Sequence, residues 1–278
     1  MARTKQISET SDWNALEEIS PTRKNGSPLV AEDVADQIQS FIIERDLSEG
    51  DRLPSERDLA EILSTSRPTV SQAIRILVVK GLIQSRRGSG TYVTRRPQES
   101  LAASVNLMLD LDKNSVHHLN DLRLWLETMG IVQAIERATE EEIEEGRTAL
   151  KLLEDSTGDI SAWMSADTEF HATIVRASHN PYLTSMYESV HATLIEYEYR
   201  DWVAQGVVPK WLRKSEAAAV NALHQPILTA LVNRDEEAGK IAVLHHHYVM
   251  AQHLTASHGE GWSPISADAP TGKASVAV

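Results

Sequence analysis

The sequence predicts a mainly α protein: an N-terminal winged helix-turn-helix with a small β-hairpin wing, followed by a C-terminal all-α antiparallel helical bundle. Three observations predict it. Two short helical stretches are separated by the break STS, the pattern of a helix-turn-helix. Behind them GLIQSRRGSGTYVT reads as strand, glycine-containing turn and strand. From about Ser100 onward the apolar residues recur almost everywhere at helical spacing, and the breaks STGD, SHNP, QGVVP and NRD carry turn chemistry. A length of 278 residues suggests two domains, each long enough to bury a core.

Each element has a local reason. Residues 1–27 are polar and lack sustained periodicity, which predicts a flexible arm, with room for a short helix around Trp13 to Ile19. Val30, Val34, Ile38, Phe41 and Ile42 make the stripe of a first helix that ends before LSEGD. In LPSERDLAEIL, Ser55 caps a short second helix, with Asp58 three residues on. Ser66 caps the third, with Pro68 in its first turn and Val70, Ala73, Ile74, Leu77 and Val78 on its apolar face. Further helices are predicted near Leu101 to Leu109 and over Val116 to Ala138, Glu140 to Glu154, Asp159 to Ala177, Pro181 to Trp202, Lys210 to Val232 and Asp235 to Ala256. The domains are thus expected at 28–96 and 97–257, with 258–278 a disordered tail.

Composition narrows the functions. With 41% hydrophobic and 24% charged residues, and no run of roughly 18 apolar residues, a membrane-spanning protein is excluded. Acids stand where a signal peptide would have its apolar core, and zero cysteines exclude disulfides, thiolate metal sites and a cysteine nucleophile. A cytoplasmic protein is the expectation. Aromatics make up only 5%, with Phe twice, so the core is expected to be mainly aliphatic.

The net charge of -13 conceals a division along the chain. From Ile62 to Arg96 there is no acid, while Arg67, Arg75, Lys80, Arg86, Arg87, Arg95 and Arg96 give +7. That window suits a polyanion. From Pro97 onward 13 bases oppose 26 acids, which accounts for the whole -13, so the second half should not touch DNA. The third helix would present Arg67, Thr69 and Ser71 in its first turn to base edges and phosphates, with Arg67 suited to a bidentate guanine contact.

The second half holds a different chemistry. DTEFH puts Asp167 and His171 at i and i+4 on one helix face. NALHQPIL supplies His224, and the run HHH supplies His245, His246 and His247, of which only one faces a given direction because neighbours turn by about 100°. His191 follows Glu188 in the ExxH spacing of di-iron bundles, but no second ExxH exists. No phosphate-binding glycine loop or nucleophile elbow is identifiable.

LPSERDLAEIL, SRPTVSQAIRIL, GLI and RRGSGTYV together resemble the winged-helix domain of the GntR family, and the all-helical half resembles the FCD ligand-binding domain of its FadR subfamily. The resemblance covers roughly residues 30 to 256. It implies a homodimeric, non-enzymatic transcriptional regulator, in the repressor sense, bound to a palindromic double-stranded DNA operator. DNA contact then falls on Arg57 and Arg67, with Ser66 at the start of the recognition helix. The wing tip Arg87 and Gly88 would enter the minor groove, with Arg86 near a phosphate. Ser71 departs from the family, where many relatives carry arginine.

The resemblance also selects His246, 22 residues after His224, and implies a metal set of Asp167, His171, His224 and His246. Three imidazoles and a carboxylate suit Zn²⁺, Ni²⁺, Mn²⁺ or Co²⁺. A small organic acid would bind at an open position of the ion, with Arg123 pairing its carboxylate; Arg123 equally suits a salt bridge to Glu127 at i+4. Asn180 either reaches a ligand or starts a helix. Rival readings are a metalloregulator whose signal is the ion, a metal-dependent enzyme fused to a DNA-binding domain, and an acyl-binding regulator.

Overall fold

The computed structural model describes Trp13, Ala15, Leu16 and residues 30–112 and 116–258. Its contacts divide the chain into two compact units, Met1–Ser100 and Leu101–Val278. The expected tail at 258–278 lies outside the described residues except for His258, as does the expected arm at 1–27 except for three positions. At two of those the chain is packed: Trp13 and Leu16 are buried, and Trp13 stacks on Phe41 with ring centroids 4.6 Å apart. The indole covers apolar surface of the first helix at Phe41.

The first unit contains α1 (Ala31–Glu44), α2 (Glu56–Ile62), α3 (Arg67–Val79), β1 (Ile83–Arg86) and β2 (Gly90–Val93). Its core gathers Ile38, Phe41, Ile42, Leu59, Val70, Ile74 and Leu77 from the predicted helical stripes. Ser55 and Ser66 cap α2 and α3, each accepting from the amide three residues on at 3.2 Å. β1 and β2 pair antiparallel with Ile83 opposite Val93. A further segment borders the hairpin, where Leu53 N donates to Thr91 O and Val93 N to Asp51 O. Gly88 turns the wing tip at φ +75°, a conformation that favours glycine.

The second unit contains most of α4 (Pro97–Leu111), inside which the division falls, and α5 (Val116–Arg137), α6 (Glu140–Asp155), α7 (Ile160–Arg176), α8 (Pro181–Gln205), α9 (Ala218–Asn221), α10 (Gln225–Asn233) and α11 (Glu236–His258). The single helix expected over Lys210 to Val232 is broken into a 3₁₀ turn at Lys210–Leu212, α9 and α10. Pro226 explains the last break, since it lacks an amide hydrogen and clashes with the carbonyl four residues back, so it is tolerated only in the first turn of a new helix. Buried aliphatic side chains dominate the core, around Trp163, Phe170, Tyr199 and Trp211. No helix among the described residues is long and apolar enough to cross a membrane.

α5 packs on α7, α8 and α11, and Gly130 permits the first of these approaches: a Cβ there would lie 2.8 Å from Val175 Cγ2 of α7. Gly130→Ala is expected to destabilise this unit by about 1–3 kcal/mol through overpacking. Thermal unfolding checks it, and a melting curve superimposable on that of the unsubstituted chain would show that α5 and α7 tolerate the methyl group.

Candidate metal centre and nucleic-acid interface

In the first unit the bases of the acid-free window separate into two groups. Lys80 pairs with Asp36 at 3.1 Å, Arg95 with Asp46 at 2.9 Å and Arg96 with Glu49 at 2.6 Å. These charges are neutralised within the unit. Arg67, Arg75 and Arg87 are exposed and make no ion pair among the described residues, while Arg86 lies over the Tyr92 ring at 4.8 Å, which stiffens the wing. Arg57 is largely exposed and stands 3.6 Å from Asp58 and 3.9 Å from Glu61, loose pairs of little energetic consequence. The hydroxyls of Ser66 and Thr69 bond each other at 2.7 Å at the start of α3, beside the exposed Arg67. Ser71 is half-buried one turn further along, and Gly88 is exposed at the wing tip.

In the second unit, α7 begins at Asp159, whose side chain accepts from Ala162 N at 3.0 Å, and this phase turns Trp163, Asp167, Phe170, His171 and Ile174 inward. His224 stands buried at the start of α10, where the break before Pro226 leaves it, and α11 buries both His246 and His247 while His245 is exposed. Asp167, His171, His224 and His246 each bring one donor atom to a common point, all within 4.8 Å of one another. His224 Nε2 lies 3.0 Å from Asp167 Oδ1 and 3.1 Å from His246 Nε2, and His171 Nε2 lies 3.8 Å from Asp167 Oδ1.

Glu127 of α5 organises the surroundings. Its Oε1 accepts from His171 Nδ1 at 2.5 Å, and its Oε2 accepts from His247 Nε2 at 2.7 Å and from the Tyr187 hydroxyl at 3.1 Å. Burial raises the carboxyl, but the two imidazoles outweigh burial and hold it well below the usual carboxylate range. An ionised carboxylate only accepts, so the His171 hydrogen sits on Nδ1 and Nε2 is the atom turned to the common point. That Nε2 is buried without a hydrogen-bond partner. Burial also raises Asp167, and the His224 hydrogen bond with the charges of His171 and His224 brings it down to about 2.

The donor set fits a divalent cation: an ionised carboxylate, three imidazoles, and a carboxylate behind one imidazole that orients it. Asp167, His171, His224 and His246 would hold the ion, which would supply a Lewis-acidic position for an oxygen ligand; a cation takes the place of the proton that Glu127 otherwise favours on His171 Nε2.

Arg123, Asn180, Glu188 and His191 differ in their surroundings. Arg123 is buried, its Nη2 lies 3.4 Å from His247 Nδ1, and its Nε has no partner; it forms no salt bridge with Glu127, whose oxygens are occupied. Asn180 caps α8, its Oδ1 accepting from Leu183 N at 3.2 Å, and no bond among the described residues joins it to the buried set. Glu188 faces Arg176 at 2.7 Å, so the ExxH pair does not act as a unit, while His191 alone enters the interior. Glu127, Tyr187, His191 and His247 are absent from the expected ligand set. The signal available for them was modest: an acid four residues after an arginine on a helix, and a histidine flanking a ligand.

Comparison with known proteins agrees with both halves. Residues 30–93 match the family described as bacterial regulatory proteins, gntR family, and residues 118–249 match the FCD domain. The chain is 28% identical to the HTH-type transcriptional repressor NanR of Cronobacter sakazakii, over 80% of this chain and 84% of that protein. It is 26% identical to the protein of the same description from Citrobacter rodentium, over 78% and 82%. In fold it resembles Streptococcus agalactiae GntR, with a TM-score of 0.61 and 24% identity over 80% of this chain and 98% of the other.

Because Glu127 holds the His171 tautomer, Glu127→Gln is expected to weaken divalent-ion binding about 10- to 100-fold. Competition against a chromophoric chelator reads this directly. Unaltered affinity would show that His171 needs no orienting carboxylate.

Proposed function

We infer the function from family and buried site together: the chain belongs to the gntR family of bacterial regulatory proteins, carries an FCD domain as its second unit, and is a DNA-binding transcriptional regulator rather than an enzyme. Our reading is a repressor, in line with the description of its NanR relatives. It acts in the cytoplasm on a palindromic operator as a homodimer. One divalent ion, Zn²⁺, Ni²⁺, Mn²⁺ or Co²⁺, is held by Asp167, His171, His224 and His246. A small organic acid binds at the ion and releases the operator.

The observation that carries the effector reading is the convergence of four buried donor atoms beside Arg123, a buried guanidinium with an unpartnered Nε. Glu198 and Glu127 favour its charge, but Arg123 forms no ion pair among the described residues, and an acidic ligand would supply one. Regulation then requires the acid to bind more tightly to the state that fits DNA poorly, since equal affinity for both states shifts nothing. The test is metal content per chain by elemental analysis, with operator affinity measured at each stage. About one ion per chain, lost in the His171→Ala, His224→Ala variant, supports the site. A metal-free native protein would make these histidines structural, and a change in operator affinity on metal loading alone would make the ion itself the signal.

On the DNA side, α3 and the wing supply the contacts in this reading: Arg57, Ser66, Arg67, Thr69 and Ser71, with Arg86, Arg87 and Gly88. The separation of free from paired bases supports it. Arg67→Ala is expected to weaken operator binding by about 1–3 kcal/mol. Arg95→Ala, which removes a base already paired with Asp46, should leave it nearly unchanged. Fluorescence anisotropy with a labelled operator distinguishes them, and equal losses would sink the assignment.

The dimer is supported by two apolar stripes. α5 exposes Leu122, Trp125 and Met129, and α11, which packs on it, exposes Ile241, Leu244 and Tyr248. Exposed apolar stripes on neighbouring helices suit a second copy of the chain. Trp125→Glu is expected to shift the protein toward monomer in sedimentation equilibrium, and an undisturbed dimer would place the interface elsewhere.

A further inference from the structure

Among the described residues five histidines, at 171, 191, 224, 246 and 247, are buried in the second unit, and of these His191 neither belongs to the ligand set nor touches Glu127. Its state follows from its neighbours. Tyr187 has one hydroxyl hydrogen, and a carboxylate can only accept, so Tyr187 donates to Glu127 Oε2 at 3.1 Å. The Tyr187 oxygen is also 3.0 Å from His191 Nδ1. With its own hydrogen committed, it accepts there, and the His191 hydrogen sits on Nδ1. The neutral ring therefore presents a bare lone pair at Nε2.

That lone pair is in an unusual position. Nε2 is buried with no hydrogen-bond partner and lies 3.8 Å from Asp167 Oδ2. The gap is too long for a hydrogen bond and joins two acceptors, so neither satisfies the other across it. His191 Nε2 is not among the donor atoms that lie within 4.8 Å of one another, which argues against direct ligation. An oxygen or nitrogen about 2.8 Å from each would span this distance; water or an amino group has a hydrogen for each acceptor, and a hydroxyl, with only one, serves His191 alone.

We propose that His191 Nε2 receives a hydrogen of a donor group bound next to the ion: water at rest, and in the liganded state a hydroxyl or amino group on the carbon beside the effector's carboxylate. The effector is then a 2-hydroxy- or 2-amino-carboxylate rather than a plain carboxylic acid. This rests on the metal and carboxylate reading above and adds its selectivity. Arg123 recognises the charge, and His191 recognises the neighbouring donor. A site with a buried acceptor discriminates against ligands that leave it unsatisfied.

The test uses the full chain loaded with Co²⁺, whose visible absorption reports the ligands around the ion, titrated separately with acetate, glycolate and glycine. The expected result is that glycolate, glycine or both bind at least about tenfold more tightly than acetate, and which one does tells hydroxyl from amine. In His191→Leu the ion stays at the same stoichiometry and the preference falls to within about twofold, which removes the greater chelating power of a two-donor acid as the explanation. Tyr187→Phe, which frees the His191 tautomer without touching Nε2, lowers the preference partway. Equal binding of the acids to the unsubstituted protein, or an unchanged preference in His191→Leu, overturns the proposal and leaves the carboxylate reading standing. Loss of the ion in His191→Leu would make His191 a ligand and also overturn it. Absence of any spectral response to the three acids overturns the carboxylate reading itself, and this proposal with it.

Discussion

Glu127 carries the arrangement of the second unit. With 1% of its surface exposed, it accepts hydrogen bonds from His171 of α7, from Tyr187 of α8 and from His247 of α11. An isolated carboxylate in such a place would be expensive, and three donors are what make it tolerable. The consequence runs outward in two directions. His171 is held with Nε2 turned toward Asp167, His224 and His246, and Tyr187 is held so that His191 keeps its hydrogen on Nδ1. The tautomers around the buried set are thus decided by one charge on a neighbouring helix.

Close packing and chain breaks bring these groups within reach. Gly130 lies one turn from Glu127, and Val175 one turn from His171, so the approach of α5 to α7 at that glycine sets the distance of the Glu127–His171 bond. The break before Pro226 ends one helical segment and starts another, and His224 stands at that junction, 3.0 Å from Asp167. An uninterrupted helix over the same residues would have carried His224 in another direction. α11 contributes two adjacent histidines to two different surroundings, because neighbours on a helix point about 100° apart and α11 is covered on both of those sides.

The first unit follows a separate electrostatic logic. Its local excess of positive charge is divided between internal pairs to Asp36, Asp46 and Glu49 and the exposed arginines of α3 and the wing. Pairing removes the charges at the C-terminal end of α3 and just after β2 and leaves Arg67, Arg75 and Arg87 without ion pairs among the described residues. The acidity of the remainder of the chain disfavours any other face for a polyanion.

The winged-helix architecture, its caps and its core were legible in the sequence, because local periodicity and local hydrogen bonds decide them: Ser55, Ser66 and the stripe from Val70 to Leu77 need only their neighbours along the chain. The four donors Asp167, His171, His224 and His246 were legible as residue types, through the i and i+4 pair and the resemblance. The helix predicted across Lys210 to Val232 was wrong because apolar spacing outvoted Pro226. Tertiary structure alone decided that Arg123 forms no ion pair with Glu127, that Arg95 and Arg96 are neutralised, and that Glu127, Tyr187 and His191 stand around the set. Each of these depends on partners tens of residues away, such as the 44 between Glu127 and His171. Sequence determines which side chains share a helix face, but which charges meet in the interior is decided by how the helices pack, since a buried carboxylate or imidazole takes its role from whatever satisfies it.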